Sequence, residues 1–389
     1  MINVDSKLGK GHPGGVTTFV RAPEAARRLG VSTATLYSYV SRRKVRRTLA
    51  ADGRSSLFDI AELDLLIERN RRPTAPPPTI DVRVSTAVTQ LSDEGLRFRD
   101  IPVEQLVDRS FEDVAELLWN GTLADTATAW PEQDTTPSDS VTVESSAMGL
   151  IRLATTIMPT GNAPEDARRF LTSIPGALET RRARNDAPMH YAQRLTMAWT
   201  SEPSNALVQA VNTALVLLAD HELATSTLAV RVAASVRSSP LAAMIAGLAA
   251  VEGQLHGSAG SFAHKLLEQV AKSGPVTVLG NYRSTRTRVP GFGHKIYRHR
   301  DPRVDLLLDR VHRLPDPHGR LRTVQGLLET SGALVTQHPN IDLAVGALTF
   351  VSGLPPDTPI FAIARVAGWT AHYLEEIEER PVRFRGLAR

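Results

Sequence analysis

The chain of 389 residues contains no cysteine, and that absence removes whole classes of chemistry. Disulfide frameworks, cysteine-ligated iron–sulfur clusters and thiol catalysis are excluded. The 11 histidines show no H-E-x-x-H or other zinc-like spacing, so no catalytic metal is expected. Long apolar runs are also missing. The longest, near Leu241–Val251, is about half of the ~20 residues a membrane-spanning helix needs, so no membrane partner is expected. Met1-Ile-Asn-Val-Asp-Ser-Lys7 lacks an apolar signal core, and the expectation is a cytoplasmic protein.

What is present suffices for real cores. Apolar residues make up 42% and charged residues 22%, and the length calls for two or three domains. The net charge of +4 is modest but unevenly placed: between Arg21 and Arg54, 9 Lys or Arg face only Glu24 and Asp52. Such an excess attracts polyanions, and it also describes many solvated faces.

The composition divides the chain. Residues 1–18 are polar and glycine-rich, the pattern of a disordered arm. Pro23–Leu29 reads as a short helix stopped by Gly30, and Ser32 is a good N-cap for a second helix over Thr33–Arg42. Asp52-Gly53 signals a turn leading to Leu57-Phe58, a small β wing, and Asp59 precedes a third helix over Ile60–Arg69. Residues 19–70 thus form a helix-turn-helix candidate, and they resemble the winged helix-turn-helix of MerR and excisionase-type proteins. The segment 71–79 is a proline-rich, extended linker. Beyond it, helical spacing predicts Pro102–Leu106, Phe111–Trp119, Pro164–Ser173, Ala187–Thr200, Asn205–Asp220, Ser226–Ser235, Pro240–Val251, Ser261–Ser273, Val304–Arg313 and Ile360–Glu379. Val84–Gln90 and Leu96–Phe98 are candidate strands. The fold class is mainly α.

The most informative stretch is Gly291-Phe-Gly-His-Lys-Ile-Tyr-Arg-His-Arg-Asp-Pro-Arg303. Glycines let backbone approach a ligand, and the Asp-Pro turn presents a guanidinium nine residues after an imidazole. A histidine beside a carboxylate-gripping arginine suits a substrate with carboxylates around a reacting carbonyl. Arg365 stands inside an apolar helix, where an unpaired charge is costly, so a ligand or buried acidic partner is implied.

Two further segments, Leu255-His-Gly-Ser-Ala259 and Pro339-Asn-Ile-Asp342, complete a pattern. In this order the three resemble the citrate synthase family over roughly Thr79 to Pro381. The resemblance implies an all-helical two-domain fold at 80–389, with a large domain at about 80–257 and 354–389 and a small one at about 258–353. It implies condensation of acetyl-CoA with oxaloacetate to citrate and CoA, with the acyl-CoA as substrate and no cofactor. Propionyl-CoA, giving 2-methylcitrate, is the alternative within that chemistry, since one methylene is worth only ~1–3 kcal/mol of discrimination. A transcriptional regulator that keeps the synthase part as a metabolite sensor is the alternative outside it.

The same resemblance assigns the site. Asp342 becomes the base that deprotonates the acyl methyl group, His256 the stabiliser of the enolate oxygen and His294 the proton donor to the acceptor carbonyl. His221, Arg303 and Arg365 become carboxylate ligands, and Arg380 reaches the neighbouring site of a homodimer. Lys295, Arg298 and Arg300 are candidates for the phosphates of coenzyme A. In the N-terminal unit, Thr33, Thr35, Ser38 and Arg42 are candidates for base edges of duplex DNA, with Arg43 and Lys44 on phosphates. The chain departs from the family pattern at Ala224, Ser258 and Gly260, where polar amides or other residues are usual. Those departures bear on substrate preference and turnover.

Overall fold

The computed structural model describes residues 19–42, 44–50, 52–60, 62–63, 66, 84–92, 95–125, 129–131, 143–178, 189–253, 256–294, 296–297 and 300–384. The arm at 1–18, the proline-rich segment 71–79, and Arg43, Lys295 and Arg298 lie outside those residues. The chain divides into two compact units, Met1–Arg83 and Val84–Arg389.

In the first unit, β1 (Phe19–Arg21) leads directly into α1 (Ala22–Leu29), whose first turn holds Pro23. Gly30 ends it in the left-handed region at φ 65°, and its N–H donates to Arg27 O at 3.1 Å. The side chain of Ser32 then accepts from Thr35 N and opens α2 (Thr33–Ser41), a contact worth ~1 kcal/mol. β2 (Thr48–Leu49) and β3 (Ser56–Asp59) follow, and β3 pairs antiparallel with both β1 and β2. Asp52 makes the connecting turn by accepting from Arg54 N, Ser55 N and the Ser55 hydroxyl, contacts that pull its carboxyl down to about 2. Leu36, Val45, Phe58, Leu63 and Leu66 close a small core of their own.

The second unit begins with a three-stranded antiparallel sheet of β4 (Thr89–Ser92), β5 (Gly95–Phe98) and β6 (Ile101–Pro102). Helices follow: α3 (Phe111–Asn120), α4 (Ala147–Thr156), α5 (Ala163–Leu178), α6 (Tyr191–Trp199), α7 (Asn205–Leu218), α8 (Thr225–Ser235) and α9 (Pro240–Glu252). They continue with α10 (Ala259–Ser273), α11 (Pro275–Thr285), α12 (Pro302–His312), α13 (Arg320–Leu334), α14 (Ile341–Ser352) and α15 (Ile360–Glu378). The unit is mainly α, as expected. α15 is the axis of the packing, crossing α3, α5, α7, α8 and α9, while α14 lies against α10 and α12. Its buried face, from Ile360 through Trp369 to Tyr373, is continuous along the helix.

Several expectations are corrected. Pro102–Leu106 is not an α-helix: Pro102 closes β6 and Val103–Gln105 is a single 3-10 turn. The first strand starts at Thr89 rather than Val84. The Asp-Pro pair before Arg303 is no free turn; Asp301 caps α12, accepting from Arg303 N, and Pro302 occupies the first helical position. Four helices, α4, α11, α13 and α14, had no predicted counterpart.

Candidate active site

The short connections between helices deliver the side chains. His221 follows α7, His256 precedes α10, His294 lies between α11 and α12, Arg303 and Asp342 stand in the first turns of α12 and α14, and Arg365 projects from α15.

The His294 loop is stitched to the start of α14. Gly293 N donates to His338 O at 2.8 Å, Asn340 N to Gly291 O at 2.9 Å, and Asn340 Nδ2 to Gly293 O at 2.8 Å. Gly291 has φ 78°, and a Cβ there would meet Leu343 Cβ at 2.8 Å, so only glycine lets the loop lie this close. Asn340 also caps α14 by accepting from Asp342 N at 3.0 Å. Asp342 therefore sits where α14 begins, half-buried, and burial pushes its carboxyl up to about 6 despite the nearby Arg303 and Arg365.

Both histidines of the core motifs are held as defined neutral tautomers. Ser226 N donates to His256 Nε2 at 3.3 Å, and the Ser226 hydroxyl lies 2.9 Å from the same atom. A backbone N–H can only donate, so Nε2 carries the lone pair and the proton rests on Nδ1. The helix end that favours the neutral ring is thus that of α8, through Ser226, and not the helix that follows His256 in sequence. His294 is fixed the other way: Ile296 N and Tyr297 N donate to its Nδ1 at 3.1 and 3.3 Å, leaving the proton on Nε2. Burial lowers both imidazoles below their usual range, assisted by Arg365 at His256 and Arg303 at His294.

His221 is buried, its Nε2 has no hydrogen-bond partner, and burial together with Arg303 and Arg365 drives it well below the usual histidine range. Its ring meets that of His294 edge-on at 5.1 Å. Arg303 pairs with Asp301 through Nε at 2.9 Å and Nη2 at 2.8 Å, while Asp301 Oδ2 also accepts from Ile341 N. Arg365 is only 3% exposed, and its Nε and Nη1 make no hydrogen bond. Burial pulls it down to about 10, against the pull of Asp220. The expected acidic partner is therefore Asp220, whose Oδ1 stands 3.7 Å from Nη1, too far for a closed bond.

A cleft of about 230 Å³ has His256 and Asp342 on its walls beside Phe361 and Val345. Phe361 lies under the Arg365 guanidinium at 4.9 Å and edge-on to His256 at 5.7 Å. A carboxyl that ionises near neutrality, two neutral imidazoles with protons on opposite nitrogens, and a buried guanidinium with unused donors can take a proton from carbon and hold developing oxyanions.

Other sequence candidates fall away from this cluster. Arg380 is exposed beyond α15, and Arg300 is exposed and paired with Asp305. In the first unit, Thr33, Arg42 and Lys44 are exposed, Ser38 is partly covered, and the Thr35 hydroxyl is taken up by Ser32 at 2.8 Å. Reading the sequence missed Tyr297, whose ring contacts His221 and His294 and whose buried hydroxyl is unpartnered and pushed up to about 12. It missed Asp220, Ser226 and Phe361 as well. Tyr297 lay inside the motif already singled out; the others carried no local signal.

Comparison with known proteins identifies the family of the second unit. The family described as "Citrate synthase, C-terminal domain" matches residues 81–385. The chain is 30% identical to the 2-methylcitrate synthase of Mycobacterium tuberculosis over 329 residues, covering 75% of this chain and 83% of that protein. It is 29% identical to the citrate synthase of Mycolicibacterium smegmatis, covering 75% and 88%. Among solved structures, Thermotoga maritima citrate synthase superposes with a TM-score of 0.66 at 24% identity over 79% of this chain and 92% of that one. A Thermoplasma acidophilum citrate synthase, solved with carboxymethyl coenzyme A and oxaloacetate, gives 0.66 at 23% identity over 79% and 93%. With both the helical architecture and the sequence match spanning the second unit, the chain belongs to the citrate synthase family.

Proposed function

We propose that the enzyme joins an acyl-CoA to oxaloacetate, acetyl-CoA giving citrate, and then hydrolyses the thioester to release CoA. The observation that carries the reading is the pair of tautomer-fixed neutral imidazoles together with a carboxyl raised to about 6, which shares a cleft with His256. Asp342 takes a proton from the thioester methyl group. His256, through Nδ1–H, bonds the enolate oxygen as charge gathers there. His294, through Nε2–H, polarises and protonates the ketone of oxaloacetate. Arg365, Arg303 and His221 hold its carboxylates, and the unused donors of Arg365 supply the free valence for one of them. No cofactor enters this sequence of steps.

The nucleotide end of the acyl-CoA is better served by a second cleft than by Arg300. That cleft holds about 740 Å³ between the end of α11 and residues 331–339, with Arg283, Arg286 and Arg288 on its rim. Its lining includes His338, whose carbonyl accepts from Gly293 N, the residue before His294, at 2.8 Å. Residues of about 258–353 form the lobe that closes over oxaloacetate in this reading. The functional assembly is a homodimer, supported by the exposed Val232 on α8 and Val236 at its C-cap, with Arg380 given to the partner's site.

The relatives include both citrate and 2-methylcitrate synthases at nearly equal identity, so acetyl-CoA and propionyl-CoA are both candidates. Release of free CoA from each, with and without oxaloacetate, tests the reading; no release from either would refute it.

For the N-terminal unit we propose a winged helix-turn-helix that contacts duplex DNA. The αL turn at Gly30 between two helices, the β2–β3 hairpin and the exposed Arg42, Lys44 and Arg47 support it. This adds a regulatory role to the catalytic one. The localisation implied by the whole reading is cytoplasmic.

A further inference from the structure

Arg365 faces the reaction centre with a vacancy in its hydrogen bonding, and the groups behind it explain how that vacancy is kept. We propose that His372 and Asp220 are a positioning pair: buried His372 orients Asp220 so that Asp220 fixes Arg365 without saturating it. The inference rests on the functional reading above, in which Arg365 takes a substrate carboxylate.

His372 is fully buried about two helical turns beyond Arg365 on α15. Its Nδ1 lies 2.8 Å from Nη1 of Arg231 on α8. A guanidinium only donates, so Nδ1 accepts and the proton sits on Nε2. Nε2–H then donates to Asp220 Oδ2 at 3.3 Å. The Thr89 hydroxyl donates to that same oxygen at 2.5 Å. Glu222 N also donates to Oδ2 at 3.1 Å, so Oδ2 is gripped from three sides, while Oδ1 has no hydrogen-bond partner and stops 3.7 Å short of Arg365 Nη1.

The far end of the relay is rigid. Arg231 is fully buried and pairs with Glu376 at 2.8 Å and with Glu375 at 2.9 Å. Arg383 grips the same Glu376 carboxylate. The near end is confined by Gly368, whose N–H donates to Ala219 O at 3.1 Å. A Cβ at Gly368 would lie 2.3 Å from Asp220 Oδ1, so α15 and the Ala219–His221 segment touch backbone to backbone here.

Removing the imidazole frees one side of Oδ2. The carboxylate then turns toward its remaining strong donor and closes the 3.7 Å gap to Arg365. A closed bidentate pair uses up the donors that a substrate carboxylate needs, so oxaloacetate competes with an internal carboxylate. The acyl-CoA end, set by the cleft walls, is untouched.

The test is steady-state kinetics of the full chain with His372→Leu, His372→Gln and Thr89→Val, each checked by its melting temperature. His372→Leu should raise the oxaloacetate KM at least ~10-fold, a loss of ~1.4 kcal/mol, with the acyl-CoA KM within about twofold. His372→Gln restores a donor toward Oδ2 and should recover part of that loss. Thr89→Val removes a second side-chain donor, leaving Glu222 N, and should shift the oxaloacetate KM in the same direction, which decides the matter if His372→Leu does not fold. An unchanged oxaloacetate KM in a folded variant, or both KM values rising together, overturns the positioning role. Oxaloacetate binding to the wild-type protein by calorimetry separates the two levels. If wild type neither binds oxaloacetate nor releases CoA, the functional reading falls first and takes this inference with it.

Discussion

Asn340 donates to the Gly293 carbonyl at 2.8 Å and accepts from Asp342 N at 3.0 Å, so one amide sets both the imidazole loop and the carboxylate helix. The two reactive groups are thereby referenced to each other rather than to separate parts of the fold. Asn340→Ala removes an N-cap worth ~1 kcal/mol and should lower the melting temperature by a few degrees. Turnover should fall more than stability alone explains, by ~10-fold or more, because a misplaced near-attack geometry is costly. Equal turnover at saturating substrates in the folded variant would show that the stitch is purely structural.

Asp342→Asn, His256→Ala and His294→Ala should each cut turnover at least ~100-fold, as for removal of general acid–base or oxyanion groups. Purified, folded variants are compared at saturating concentrations of both substrates. A rate near wild type in any one of them removes that residue from the mechanism.

Arg303 and Arg365 should differ when replaced by leucine. Arg303→Leu strands Asp301, which also accepts from Ile341 N, so it should lose stability by about 3 kcal/mol as well as oxaloacetate affinity. Arg365→Leu leaves Asp220 held by His372 and Thr89, and it should act mainly on the oxaloacetate KM. Melting curves paired with separate KM values for each substrate check this. A shift confined to the acyl-CoA KM would contradict the carboxylate role.

The pH dependence follows from Asp342, which titrates at about 6 when folded against 3.8 for the free side chain. A base must be ionised, so kcat/KM should rise with pH and level off above the folded pKa. Stability runs the opposite way. Between those two values the folded protein holds more protons than the unfolded one, so this group's contribution is complete below the unfolded pKa and is lost as pH rises through the folded one. Asp342→Asn should accordingly be more stable than wild type by roughly 1–3 kcal/mol at about pH 7.5 and nearly equal to it at about pH 3, below the unfolded pKa. Calorimetry at both pH values tests the sign. A destabilised variant at the higher pH would mean that the ionised carboxylate is well solvated.

The whole chain should bind duplex DNA in a salt-dependent way, with Lys44→Ala weakening all sequences alike by removing a phosphate contact and Arg42→Ala relaxing the preference among sequences. Anisotropy titrations against genomic fragments at low and moderate salt decide it. No binding at low salt would leave the first unit as a protein-docking module.

The sequence made the reacting residues legible because motif and geometry coincide there. Gly291, Gly293 and His294 sit in one run, and Gly291 is needed for the approach to Leu343 while Gly293 lies against Gln337. The helix holding Asp342 was missed for a physical reason: from Ile341 to Val351 nearly every residue is buried, so no apolar periodicity marks it. Helix α11 follows Gly274-Pro275 and exposes most of its surface, which left little pattern to detect. His256 was expected to owe its neutrality to the helix after it, and the contact comes instead from Ser226. Asp220 and His372 were invisible because their meaning arises only from contacts across 152 residues of chain.

The first unit closes on Leu36, Phe58 and Leu63 and the second on a separate apolar cluster built around Trp369 and Phe170. Two cores give a chain two folding free energies, and the smaller has few side chains with which to hold its own. Heat therefore has two thresholds in this molecule. Calorimetry should record two transitions, the smaller unit melting first, with catalysis by the second unit persisting between them.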